Sequence, residues 1–317
     1  VFVRYLLIDF GASFLKLATY DTTISEKRWS PIYDQKMIKS PFVEKSVSSR
    51  KELMSMLRSI VSTKFDRVVC CSILGGGWHG DNYYSWKSSE PNNTHKSCLI
   101  SGLFNESPYY HTHEHHGGHV TGLNLLGYIN TVPIYSSLGD TDCVINSIEI
   151  DDNEYVVNIG TGSQVITKQK NQIIVNKYIP AGRTFLCYDK FLSELGVDLF
   201  DQLHELTVNE ILESNIKFDL NIFPQSVAFG GGGSITNLHE CSLTKSNFFG
   251  SLVRSFVEQY GVYFSDEQKT KIKLTGGIPK KLPALKQVFS EMYGKDVIID
   301  TSATPFKGMV NYIKEWL

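Results

Sequence analysis

The 317-residue sequence predicts an α/β protein of two similar domains. Three observations lead there. A strand, a glycine turn and a second strand occur twice: Leu6-Leu7-Ile8-Asp9-Phe10-Gly11-Ala12-Ser13 and Val156-Val157-Asn158-Ile159-Gly160-Thr161-Gly162-Ser163. Asp9 and Asn158 hold the same place in the two copies, 149 residues apart. Each copy is followed later by an apolar strand, a glycine turn and a helix, so the duplication extends beyond one pair of turns.

In the first half, residues 4–9 and 14–21 read as a hairpin and 34–39 as a third strand. Over 50–62, Leu53, Met56, Leu57 and Ile60 recur at helical spacing. Residues 67–74 are a buried strand ending at Gly75-Gly76-Gly77, and 75–118 are irregular, rich in Gly, Asn, Ser, His and Tyr. Val120 to Leu126 reads as a helix start. Val132 to Leu138 is a strand ending at Gly139-Asp140, and a short helix at 141–149 follows. Three strands, a helix and a strand form a ribonuclease-H-like core, the core shared by sugar kinases, actins and heat-shock ATPases; as an analogy of fold, this does not give a function.

The acidic stretch Glu149 to Glu154 is the expected joint, giving domains 1–150 and 151–317. Beyond it, strands are expected at 155–159, 163–169 and 172–179. Phe249, Leu252, Val253, Phe256 and Tyr260 share one face of a helix at about 248–264. A strand at 271–274 ends at Thr275-Gly276-Gly277 and precedes a helix at 283–293, with Pro283 in its first turn and Gly294 as its stop. A strand at 297–300 and a helix at 305–316 close the chain.

A formal net charge of −2 and no basic run argue against nucleic-acid binding. Apolar runs are strand-sized, so no membrane span is expected. The six cysteines, Cys70, Cys71, Cys98, Cys143, Cys187 and Cys241, form no CxxC pair, and a reducing cytoplasm is the expected location.

Several residues could carry chemistry. Asp9 ends the first strand, where a carboxylate could hold Mg²⁺ against phosphate oxygens. Gly11, Ser13 and the turn amides could bind phosphate, and Lys16 adds positive charge. Gly160, Thr161, Gly162 and Ser163 form the second candidate phosphate turn, with Asn158 in place of the acid. Both strings also suit ordinary hairpins. Gly276-Gly277 could border an adenine ring or simply turn strand into helix. Asp140 could take a proton from a substrate hydroxyl, or serve as a helix N-cap. His111, His113, His115, His116 and His119, with Glu114, could bind a metal, touch a sugar or be solvated. Trp78, Trp86, Tyr83 and Tyr84 could stack on a sugar ring or anchor the loop. Gly230 to Gly233 lacks the Lys of a Walker A loop.

In this order, the motifs resemble those of the FGGY carbohydrate kinases, nearest to the sedoheptulokinase-like members. Asp9-Phe10-Gly11-Ala12-Ser13 with Lys16 resembles the first phosphate motif, and Asn158 to Ser163 the second. Ser137-Leu138-Gly139-Asp140 resembles the stretch bearing the catalytic base, and Leu274-Thr275-Gly276-Gly277 the adenosine motif. Departures are also present. Trp86-Lys87-Ser88 lacks the acid of the family's Trp-x-Asp sugar contact, and Thr304 to Gly308 replaces a small-residue run.

The resemblance implies two actin-like ATPase domains with a nucleotide cleft between them. It implies a kinase transferring phosphate from ATP, with Mg²⁺ at Asp9, to a hydroxyl of a small sugar or polyol. Asp140 would be the base and, with Trp86, a substrate contact; a second copy of the chain is a candidate homodimer partner. The other reading is a regulatory protein that binds sugar or nucleotide on a kinase scaffold.

Overall fold

The computed structural model describes the chain except residues 12, 24–27, 43–44, 73–76, 86–98, 105–122, 161, 170–171, 177–178, 180, 223–231 and 317. In the first half the elements are β1 (Phe2–Phe10), β2 (Phe14–Thr23), β3 (Arg28–Trp29), β4 (Tyr33–Lys39), β5 (Val47–Ser49), α1 (Arg50–Ile60), β6 (Arg67–Ser72), β7 (Gly77–His79), β8 (Asn82–Tyr84), α2 (Leu99–Leu103), β9 (Asn124–Ile129), β10 (Val132–Gly139) and α3 (Asp140–Asn146). The second half has β11 (Glu154–Ile159), β12 (Ser163–Gln169), β13 (Gln172–Val175), α4 (Ala181–Glu194), α5 (Leu199–His204), α6 (Val208–Glu213), β14 (Lys217–Asp219), β15 (Ser234–Thr236), α7 (Lys245–Glu258), β16 (Lys271–Thr275), α8 (Gly277–Lys281), α9 (Leu285–Tyr293), β17 (Asp296–Ile299) and α10 (Pro305–Trp316).

Two compact units result. The first runs through Glu149 and includes Ser302–Leu317; the second is Ile150–Thr301. The expected second domain included 305–316, but α10 belongs to the first unit. Its Phe306, Met309, Val310, Tyr312 and Ile313 are buried with Val3, Tyr5 and Leu7 of β1. Gly308 makes this packing possible. A Cβ there would collide with the backbone carbonyl of Cys143 in α3, and Asn311 Nδ2 donates to Asn146 O at 2.8 Å.

The first unit holds a mixed seven-stranded sheet in the order β3-β2-β1-β6-β10-β9, with β4 also on β2. β1 shows why it is central. Its alternate residues Leu6, Ile8 and Phe10 enter one core with α1 residues Leu53 and Leu57, while Val3, Tyr5 and Leu7 enter the core under α10. The α1 helix starts where Ser49 and Glu52 cap each other reciprocally.

Two expectations change here. A helix start is expected over Val120 to Leu126; residues 120–122 lie outside the described residues, and 124–129 form strand β9, antiparallel to β10. A two-residue turn with positive φ at Asn130 and Thr131 (48° and 70°) forces that pairing. Within the stretch expected to be irregular, β7 and β8 join β5 in a three-stranded sheet. There Tyr83 is fully buried. The Trp78 indole donates to Leu99 O at 3.2 Å, with the Arg50 guanidinium 4.6 Å from its ring centroid. Both aromatics anchor this segment to the core.

The second unit repeats the scheme in a five-stranded sheet, β13-β12-β11-β16-β17. Tyr155, Val157 and Ile159 of β11 pack with Leu252, Val253 and Phe256 of α7 and Leu285, Val288 and Phe289 of α9. Among the described residues, no helix is long and apolar enough to cross a membrane.

Candidate active site

The parallel strands β1, β6 and β10 bring their C-terminal ends together, pairing Asp9 with Cys71 and Gly139 with Ser72. The hairpin places Lys16 opposite Asp9. These pairings concentrate four sequence candidates, Asp9, Lys16, Gly11 and Ser13, beside a fifth, Asp140.

The Asp9 carboxylate is closely held. Lys16 Nζ donates to its Oδ2 at 2.6 Å, and the Cys71 thiol donates to its Oδ1 at 3.7 Å. Its side chain is 2% exposed and that of Lys16 is 40% exposed, so the cation reaches solvent while the carboxylate does not. Burial opposes the Lys16 charge, but Asp9 offsets that and holds its pKa above the ordinary lysine value. Burial, with Cys143, Asp9 and Asp140 nearby, pushes the Cys71 thiol well up, so it is a neutral donor.

Asp140 is the first residue of α3. The cap role that an acid commonly plays at this position falls instead to Asp142, whose Oδ2 accepts from the Gly139 amide at 3.1 Å. Asp140 Oδ1 accepts from the Thr141 amide at 2.8 Å, and its Oδ2 accepts from no described residue. Burial and the neighbouring Asp9 charge push the Asp140 pKa up to about 7, against the Thr141 amide and Lys16, which lower it. A carboxyl poised there exchanges protons readily near neutrality.

Two turns that look alike in sequence close differently. The Gly11 amide donates to Phe14 O at 3.1 Å, and the Gly160 amide to Gly162 O at 2.9 Å. Both amides are thereby used inside the turn. A Cβ on Gly11 would stand 2.7 Å from Phe14 O, whereas one on Gly160 would make an ordinary 3.5 Å contact. Across the second hairpin Asn158 Nδ2 donates to Gln164 Oε1 at 3.0 Å, a neutral pair where the first hairpin has an ion pair. Ser163 is fully buried. Its Oγ accepts from Tyr260 at 2.9 Å, so it braces the turn from below.

Gly276 follows β16 at φ 103°, a region that favours glycine, and a Cβ there would collide with Ile159 O. A Cβ on Gly277, the first residue of α8, would meet nothing within 4 Å, so space is open beside it. Trp86, Thr161 and the histidines His111, His113, His115, His116 and His119 lie outside the described residues.

The first unit places two carboxylates, Asp9 and Asp140, beside one lysine, Lys16. No cluster of three or more metal-ligating side chains occurs among the described residues. Hard carboxylates with one lysine suit Mg²⁺, which commonly takes one or two carboxylates and completes its shell with water and phosphate. Sequence reasoning did not find Cys71 as the Asp9 neighbour, nor Thr275 as the Asn158 neighbour; both follow from strand register.

No family model and no curated protein matches the chain. Solved structures do. A ligand-bound xylulose kinase from Lactobacillus acidophilus matches with a TM-score of 0.61 at 10% identity, over 98% of this chain and 89% of that one. Plasmodium falciparum glycerol kinase, solved with ADP, matches at 0.62 and 11% identity over 99% and 90% of the two chains. Gluconate kinase from Lactobacillus acidophilus matches at 0.59 and 10% identity over 100% and 90%. The chain has the fold of two-domain actin-like ATPase sugar kinases, with a mixed sheet in each unit. At such identity the likeness is one of fold.

Proposed function

We propose that the protein is an ATP-dependent kinase that phosphorylates a hydroxyl of a small sugar or polyol, with Asp140 as general base. The observation that carries this reading is the Asp140 carboxyl, held near neutrality at the C-terminal end of β10 beside the Asp9–Lys16 pair. In this reading Oδ2 of Asp140 receives the acceptor's proton, while the Thr141 amide fixes Oδ1 and with it the carboxylate plane. Lys16 supplies positive charge to the transferring group, and Asp9 orients Lys16 and holds the cation. Mg-ATP supplies the phosphoryl group and neutralises its charge. The Asn158–Gly162 turn and Gly276-Gly277 are assigned to the nucleotide. Positioning and charge provide most of the acceleration in this chemistry.

The test is an ADP-release screen with Mg-ATP over ketoses, heptoses, polyols and nucleosides. Release that depends on one acceptor class supports the kinase and names its substrate. Nucleotide binding without transfer to any acceptor would make the chain a binding protein on the same scaffold.

A further inference from the structure

The two units repeat each other strand by strand. β1 pairs with β2 and, in parallel, with β6; β11 pairs with β12 and, in parallel, with β16. In this scheme Asp9 faces Cys71, and Asn158 faces Thr275. In parallel neighbours such register partners project from the same face of the sheet.

The first unit uses its pair: the Cys71 thiol donates to the Asp9 carboxylate. The second unit leaves its pair unmade. Thr275 is 0% exposed, and its hydroxyl has no hydrogen-bond partner among the described residues. A buried hydroxyl without a partner costs free energy, and valine would fill nearly the same volume without that cost. The position is not remote. Thr275 directly precedes Gly276-Gly277, and its facing residue, Asn158, directly precedes Ile159 and the Gly160 turn.

We propose that Thr275 is a positioning residue for nucleotide binding, unpaired in the free protein and paired in the complex. When a Mg-nucleoside polyphosphate binds at Gly276-Gly277 and the Gly160 turn, the Thr275 hydroxyl donates to Asn158 Oδ1, reproducing the Cys71–Asp9 bond. Asn158 is then held from both sides, by Thr275 and by Gln164, as Asp9 is held by Cys71 and Lys16. The inference rests on reading the second unit as the nucleotide-holding half.

Thr275→Val and Thr275→Ser, with the wild-type chain, test it through thermal melting without ligand and calorimetric binding of ADP and Mg-ATP. Thr275→Val is expected to raise Tm of the free protein by a few degrees, because it removes an unsatisfied group. It is expected to weaken nucleotide binding by roughly three- to tenfold. Thr275→Ser keeps wild-type affinity. In an Asn158→Ala background Thr275→Val has no further effect on affinity, because the hydroxyl acts through Asn158. A purely structural threonine would move stability and affinity together, not in opposite directions.

Unchanged affinity in Thr275→Val overturns the proposal while the nucleotide-binding reading stands. So does a lowered Tm of the free protein with Thr275→Ser unaffected, which would mean the hydroxyl is already bonded. A wild-type chain that binds no nucleotide overturns both.

Discussion

Lys16 Nζ and Asp9 Oδ2 meet at 2.6 Å across the first hairpin, and the same positions in the second unit are Gln164 and Asn158, joined through neutral amides at 3.0 Å. One scaffold element is thus built once with charge and once without it. The charged copy lies beside Asp140 and can serve proton and phosphoryl transfer. A neutral copy can approach a polyphosphate without repelling it.

Removing the cation should show how much Asp140 depends on it. Lys16 lowers the Asp140 pKa, so Lys16→Met is expected to move the midpoint of the pH–rate profile to higher pH and to lower kcat strongly. It also strands Asp9 in the interior. Because Lys16 is 40% exposed, the cost is about 1–2 kcal/mol, less than for a fully buried pair. Chemical denaturation and a pH series of initial rates measure the two effects separately.

The Asp140 pKa also fixes a sign for stability. Its folded value, about 7, lies above the ordinary 3.8, so between these limits the folded state binds more protons than the unfolded chain. This contribution makes stability fall as pH rises from about 4 to about 7 and level off above. Asp140→Asn is expected to flatten that slope and to raise stability at pH 8 relative to wild type, read by melting at a series of pH values.

The glycine turns separate two kinds of requirement. Gly11→Ala places a Cβ 2.7 Å from the Phe14 carbonyl and is expected to cost about 1–3 kcal/mol, while Gly160→Ala meets only a 3.5 Å contact and is expected to be tolerated. Equal losses in the two variants would show that the turns are not shaped as described.

Gly276 and Gly277 form a second contrast. Gly276→Ala is expected to destabilise the second unit, because its φ is 103° and Ile159 O stands in the way. Gly277→Ala has room and is expected to fold normally, yet to weaken nucleotide binding by covering the open backbone. Melting and ADP titration of both variants check this.

Much of this arrangement was legible in the sequence. The two hairpins, α1, α7 and the strands 132–139 and 271–275 follow from period and turn residues, all of which are local signals. What escaped was long-range. The start of β9 falls within Val120 to Leu126, read as a helix start, and only its pairing to β10 through Asn130-Thr131 decides the matter. α10 comes last in the chain but packs in the first unit, and nothing in its own periodicity says which sheet it covers. By sequence alone, Asp140 suits either a base or a helix cap. Geometry gave the cap to Asp142 and left Asp140 for other work. Cys71 and Thr275 lie on apolar strands, and their nearness to Asp9 and Asn158 is a matter of register alone.

The most direct measurement is ADP release from Mg-ATP by wild-type and Asp140→Asn proteins, with nucleotide affinity determined in parallel. The account predicts acceptor-dependent release in wild type, rising with pH through about 7. In Asp140→Asn it predicts loss of turnover with affinity within a few-fold of wild type. Turnover that survives in Asp140→Asn with the same pH dependence would contradict the account.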